Sequence, residues 1–89
     1  MKRGKHVIMG VHITDRVTRA GQVQEVLTQH GANIKTRLGL HETAEIGSPA
    51  NGLIMLELTG DDAGCQAMAD RLNAIDGVEV QTMIFEHPA

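Results

Sequence analysis

Thr36-Arg37-Leu38-Gly39-Leu40-His41 reads as a β-strand, entered from Gly31-Ala32-Asn33-Ile34 and left through a polar loop that returns at Asn51-Gly52. Over residues 34–41, alternation sets Ile34, Thr36, Leu38 and Leu40 on one side and Lys35, Arg37, Gly39 and His41 on the other. Upstream, residues 6–13 alternate Val7, Met9, Val11 and Ile13 against His6, Ile8, Gly10 and His12, so one face of a first strand is wholly apolar. Thr14-Asp15 then offers a helix N-cap, and Ala20, Val23, Leu27 and His30 recur at helical spacing until Gly31 supplies a C-cap.

Downstream the plan repeats. The loop 42–51 holds the breakers Gly47-Ser48-Pro49, and residues 53–58 form a nearly continuous apolar run, the pattern of a central strand covered on both faces. Asp61-Asp62 opens a second helix with a stripe of Cys65, Met68, Leu72 and Ile75, and Asp76-Gly77 closes it. A last strand, 78–85, alternates Val78, Val80, Thr82 and Ile84 against Glu79, Gln81, Met83 and Phe85. The order βαββαβ predicts an α+β, ferredoxin-like single domain over residues 1–89, with a four-stranded antiparallel sheet and both helices on one face. On this reading the open face carries Ile8, Gly10, His12, Arg37, Gly39, Met83 and Phe85. That is too apolar for a solvent face and marks an interaction surface, with sheet-to-sheet pairing of subunits as its use.

Size and composition narrow the functions. A domain of 89 residues buries roughly two thirds of the surface its unfolded chain exposes, so a homo-oligomer, dimer or tetramer, is expected. A formal charge of −3, from 8 basic and 11 acidic residues, provides no field for a polyanion, so direct nucleic-acid binding is not expected. Phe85 is the single aromatic, which removes the base-stacking aromatics of an RNA-binding sheet. One cysteine forms no intrachain disulfide and no paired-cysteine metal loop. Gly10 and His12 interrupt the apolar stretch that would follow the basic start in a signal peptide, and no stretch has transmembrane length. A cytoplasmic location without membrane attachment is the expectation.

Thr14-Asp15-Arg16, Gly21-Gln22-Val23, Val26-Leu27 and His30-Gly31-Ala32-Asn33-Ile34 together resemble the first half of ACT domains, regulatory modules that bind amino acids or other small ligands at subunit interfaces. The four residues between Arg16 and Gly21 make the turn longer than the usual Asp-Arg-Pro-Gly. A resemblance covering nearly the whole chain rests on Arg37-Leu38-Gly39, Gly52-Leu53-Ile54-Met55-Leu56-Glu57-Leu58 and Gly77-Val78-Glu79-Val80-Gln81-Thr82-Met83. These look like the small iron-only hydrogenase system regulators, which are similar in fold to the C-terminal domain of the nickel-responsive repressor. The resemblance implies a stand-alone oligomeric regulatory domain with no DNA-binding segment of its own and no assigned reaction. The ACT resemblance implies a ligand near Asp15, Arg16 and Asn33 between subunits, although Asp15 and Arg16 read equally as a helix cap with an exposed basic neighbour.

In the nickel-binding relatives the second strand carries a His-x-His pair, which here reads Gly39-Leu40-His41, and a cysteine opens the third strand, where this chain has Asn51-Gly52-Leu53. His30 stands where those relatives supply a histidine from the end of the first helix. Four nitrogen or sulfur donors define a square-planar nickel site, and two are replaced, so nickel sensing of that type is not expected. A metal-responsive module could still use His41 and His12 with Glu42 across an oligomer interface; the alternative is that both histidines are polar residues near strand ends. His30 reads otherwise as a group favoured at the negative end of a helix. Cys65 reads either as a reactive thiol near a helix N-terminus or as a small buried hydrophobe. No nucleophile or acid-base arrangement is apparent, so no catalysis is expected; no particular cofactor is implied. A third reading is an assembly subunit that binds protein partners without a ligand.

Overall fold

The computed structural model describes residues 5–14, 16–40 and 52–86. Six elements follow in order: β1 (Lys5–Ile13), α1 (Arg16–Gln29), β2 (Ile34–Leu40), β3 (Gly52–Leu58), α2 (Asp62–Asn73) and β4 (Val78–Glu86). The strands form one sheet in the order β2-β3-β1-β4, every neighbouring pair antiparallel. This is the ferredoxin-like α+β architecture.

The core forms where the apolar side of β1 meets both helices. Met9, Val11 and Ile13 are buried against Val23, Val26 and Leu27 of α1 and Met68, Ala69 and Leu72 of α2. Ile54, Leu56 and Leu58 of β3 and Val78 of β4 complete it, so every side chain of the buried cluster is apolar and none is aromatic. Cys65 on α2 and Ile75, two residues beyond its end at Asn73, lie half-buried at its margin, so the expected stripe packs as expected although its last member is off the helix. The run 53–58 is central, yet only its even positions are covered: Leu53, Met55 and Glu57 stay half-exposed on the side without helices.

Two local features depart from the sequence reading. The first helix does not end on a left-handed glycine. His30 N–H still donates to the Val26 carbonyl (3.0 Å), and the chain then tightens into a 3-10 turn over Gly31–Asn33, closed by Asn33 N–H on the His30 carbonyl (2.9 Å). Among the described residues the positive-φ glycines are Gly60 and Gly77.

The second departure is a bulge. Ile34 pairs with Leu58, but Thr36 pairs with Glu57, so Lys35 is an extra residue and the register slips by one. Because side chains alternate strictly, that slip exchanges the faces of everything after it. Leu38 pairs with Met55 and faces away from the helices, whereas Arg37 and Gly39 pair with Leu56 and Ile54 and face the helix side. The assignment of Arg37 and Gly39 to the open face is therefore overturned.

Gly77, at φ +83°, joins the exit of α2 to β4; Thr14 N–H donates to its carbonyl at 2.8 Å, and a Cβ at Gly77 would lie 3.1 Å from the Thr14 oxygen. Gly77→Ala is expected to cost about 1 kcal/mol or more, whereas Gly31→Ala, in an ordinary backbone conformation with no atom within 4 Å of the new Cβ, should be neutral or slightly stabilising. Urea unfolding of the two variants measures the contrast, and equal losses would contradict it.

Candidate functional site

Two regions of the fold are organised beyond what burial alone requires. The first is the open face of the sheet. Across its middle, Leu38, Met55, Gly10 and Gln81 stand side by side on the four strands, and one step along, Glu57, Ile8 and Met83 form the next row. Phe85 lies beside His6. Leu38, Met83 and Phe85 are 55%, 54% and 52% exposed, which is unusual for large apolar side chains outside an interface. A Cβ at Gly10 would sit 3.7 Å from Met55 Sδ, an ordinary contact, so the chain's own packing does not demand glycine there. Glycine leaves the middle of this face without a side chain of its own, between Met55 and Gln81 on the neighbouring strands.

Charge on this face is largely paired within it. Glu57 accepts a hydrogen bond from Thr36 Oγ1 (3.1 Å), and its other oxygen lies 3.9 Å from Lys35 Nζ, so the bulged residue reaches back over its own sheet. At the other end His12 sits between Leu53 and Glu79 and is exposed. Its proposed companions as metal ligands, His41 and Glu42, lie outside the described residues. Among the described residues no group of three or more His, Cys, Asp and Glu side chains is gathered as a metal site. His30 is engaged elsewhere: Arg71 Nη1 lies 3.1 Å from its Nε2, joining the end of α1 to α2.

The second region is built around Asn33. Its Nδ2 donates to the Thr59 carbonyl (3.0 Å), and its own carbonyl accepts from Thr59 N–H (2.9 Å), so the turn before β2 grips the exit of β3 from both ends of one residue. The carboxamide fills space that two glycines leave: a Cβ at Gly60 would come within 2.7 Å of Asn33 Nδ2, and one at Gly64 within 2.7 Å of Asn33 Oδ1. Gly60 also has φ +86°. Nδ2 further lies 3.8 Å from Cys65 Sγ, which itself donates to the Thr59 carbonyl at 3.5 Å. Burial pushes the Cys65 thiol above its ordinary value of 9.0, and the Asp62 and Asp61 carboxylates push the same way, against the Asn33 hydrogen bond and Lys5. The thiol is held protonated, which favours its packing role over nucleophilic reactivity.

The side chain of Asn33 is thus committed to its own fold. Its position also separates it from the other proposed ligand contacts. Ile34 is level with Leu58 and so with Val7, whereas Arg16 follows Ile13, at the opposite end of β1. Six strand residues, roughly 20 Å, separate those levels. Asp15 lies outside the described residues, and Arg16 is placed as the first residue of α1. One protomer therefore does not bring Arg16 and Asn33 together.

No family model and no curated protein matches the chain. Solved structures do. The uncharacterized protein TM1266 from Thermotoga maritima superposes with a TM-score of 0.76 at 26% identity, over 92% of this chain and 99% of that one. A putative PII-like signaling protein (TTHA0516) from Thermus thermophilus gives 0.61 at 10% identity over 97% and 92% of the two chains. CPII from Thiomonas intermedia K12, bound to ADP, AMP and acetate, gives 0.57 at 9% identity over 100% and 94%. The last two share the fold of this chain.

No helix among the described residues is long and apolar enough to cross a membrane. Asn33→Ala should destabilise the domain by about 1–2 kcal/mol, since it deletes the side-chain bond to Thr59 and empties the space between Gly60 and Gly64; chemical denaturation measures this, and an unchanged midpoint would refute the clamp. Cys65 should react with iodoacetamide more slowly in the native protein than in the urea-unfolded chain at neutral pH. The sign of the linkage follows: with the folded pKa raised, the native state holds its proton longer, so this contribution to stability is complete below about pH 9 and lost as pH rises past it.

Proposed function

We propose that the chain is a non-catalytic regulatory domain that assembles into a homo-oligomer through its open sheet face and binds a small ligand at the subunit interface. The observation that carries this reading is the uncovered apolar face itself. The central strands β3 and β1 present Met55, Leu53 and Ile8 to it, flanked by Leu38 and Met83, and the two helices of the fold are already committed to the other side. Burying that face on a second copy removes apolar area from water at about 25 cal/mol per Å², a gain available to a small domain with an aliphatic core.

The ligand half of the proposal draws on two supports. The first is the resemblance to ACT domains, regulatory modules that bind small ligands between subunits, alongside that to iron-only hydrogenase system regulators. The second is that CPII, a protein of the same fold, is described bound to ADP and AMP. Adenine nucleotides are therefore the first probes. Since Arg16 and Asn33 stand at opposite ends of one protomer, the shared position between subunits is the arrangement consistent with both.

A thermal-shift series with ADP, AMP and a panel of amino acids tests the proposal. A ligand at one hundred times its Kd adds about 2.7 kcal/mol, which for a domain of this size raises Tm on the order of 10 °C. Leu38→Glu, placed on an exposed strand position where it costs the monomer little, should reduce the mass seen in sedimentation and abolish the ligand shift together. A native protein that is monomeric at tens of micromolar, or a Leu38→Glu variant that keeps its mass and its ligand response, would sink the reading.

A further inference from the structure

The two edges of the sheet are not alike. At the β2 edge the bulge at Lys35 breaks the register, and Lys35 and Arg37 add charge, both devices by which edge strands resist pairing. At the β4 edge, residues 80–85 carry no charge, and Met83, Ile84 and Phe85 are 54%, 55% and 52% exposed. Alternation puts Met83 and Phe85 on the open face with Ile8 and His6, but Ile84 on the helix side with Val7. A partner on the open face covers the first two and never the third. An occupant lying in the plane of the sheet, alongside β4, touches all three.

The register of such an occupant can be read from the backbone. Val80 N–H donates to Asn73 Oδ1 at 3.0 Å, so it points away from β1, and the amides of Thr82 and Ile84 point the same way by alternation. Asn73 blocks pairing at Val80, so a neighbouring strand is met from Thr82 onward. We propose that β4 pairs antiparallel with β4 of a second copy about a two-fold axis normal to the sheet at Ile84. Ile84 then faces its own counterpart, Met83 of each copy faces Phe85 of the other, and Thr82 faces Glu86. No carboxylate opposes another, the helices of both copies share one side, and a sulfur meets an aromatic ring twice. Pairing β4 with β2 of another copy is less complete among the described residues: the register that sets Arg37 across from Glu86 with helices on one side joins residues 37–40 to 83–86.

Single cysteines in a Cys65→Ser background test the register. Ile84→Cys places two thiols on the axis, with Cα atoms about 5.5 Å apart, within disulfide range, whereas Thr82→Cys places them roughly 13 Å apart. Mild oxidation should convert the first variant to covalent dimer and leave the second unlinked, and Leu38→Glu should not change this result, because it acts on the other surface. Thr82→Pro removes an outward amide and spares the bonds to β1, so it should keep the circular dichroism of the native fold and halve the mass in sedimentation. Cross-linking at Thr82→Cys in place of Ile84→Cys, linkage at neither, or a Thr82→Pro protein of unchanged mass would each overturn the proposal.

Discussion

The structure depends on one constraint: two helices cover one face of a four-stranded sheet, and no other element among the described residues covers the other. The covered side is settled by the alternation Met9, Val11, Ile13 on β1, which seats α1 through Val23, Val26 and Leu27 and α2 through Met68 and Leu72. With one aromatic in the chain, the core is filled by aliphatic and methionine side chains, and the aromatic itself lies outside it at Phe85. The face the helices leave open carries Leu38, Met83 and Phe85, each more than half exposed. The proposed function follows from that face.

The elements are legible where periodicity acts on one side at a time. The alternation of β1 and the apolar positions of α2 stand in the sequence as they stand in the fold, whereas α2 ends at Asn73, before the expected Asp76-Gly77, and Gly77 turns the chain into β4. The faces of β2 are not legible. Ile34, Thr36, Leu38 and Leu40 alternate without fault, so nothing local signals that Lys35 is skipped by its partner strand; the bulge is decided by pairing with β3 and turns Leu38 to the open face and Arg37, still exposed, to the helix side. Gly31 misleads for a related reason, because a 3-10 turn and a left-handed cap both use a glycine after a helix.

The candidate site divides along the same line. Asn33 reads in the sequence as a polar residue at a junction, which it is, but its partners Thr59, Gly60 and Gly64 are about thirty residues away in the chain, and the missing side chains of the two glycines are what make room for it. A glycine in a sequence announces freedom and not the neighbour that needs the space. The apolar surface is legible in kind and corrected in membership. His41 and Asp15 belong to stretches outside the described residues, so their roles rest on the resemblance that named them.

Two unfinished surfaces on one small domain have a geometric consequence. The β4 edge invites a two-fold axis normal to the sheet, whereas the open face invites one lying in its plane, and two perpendicular two-folds that meet generate a closed tetramer of dihedral symmetry. An in-plane axis running across the strands reverses them, which sets the Asn33 end of one protomer over the Arg16 end of its partner, the pairing that a single chain keeps roughly 20 Å apart. In such an assembly the ligand position exists only once the faces have met. Binding and association then share a free energy: a ligand that tightens the interface by some factor is itself bound more tightly, by the same factor, in the assembled state. On the proposed reading, the apolar face that would drive assembly would also set how strongly the ligand is felt.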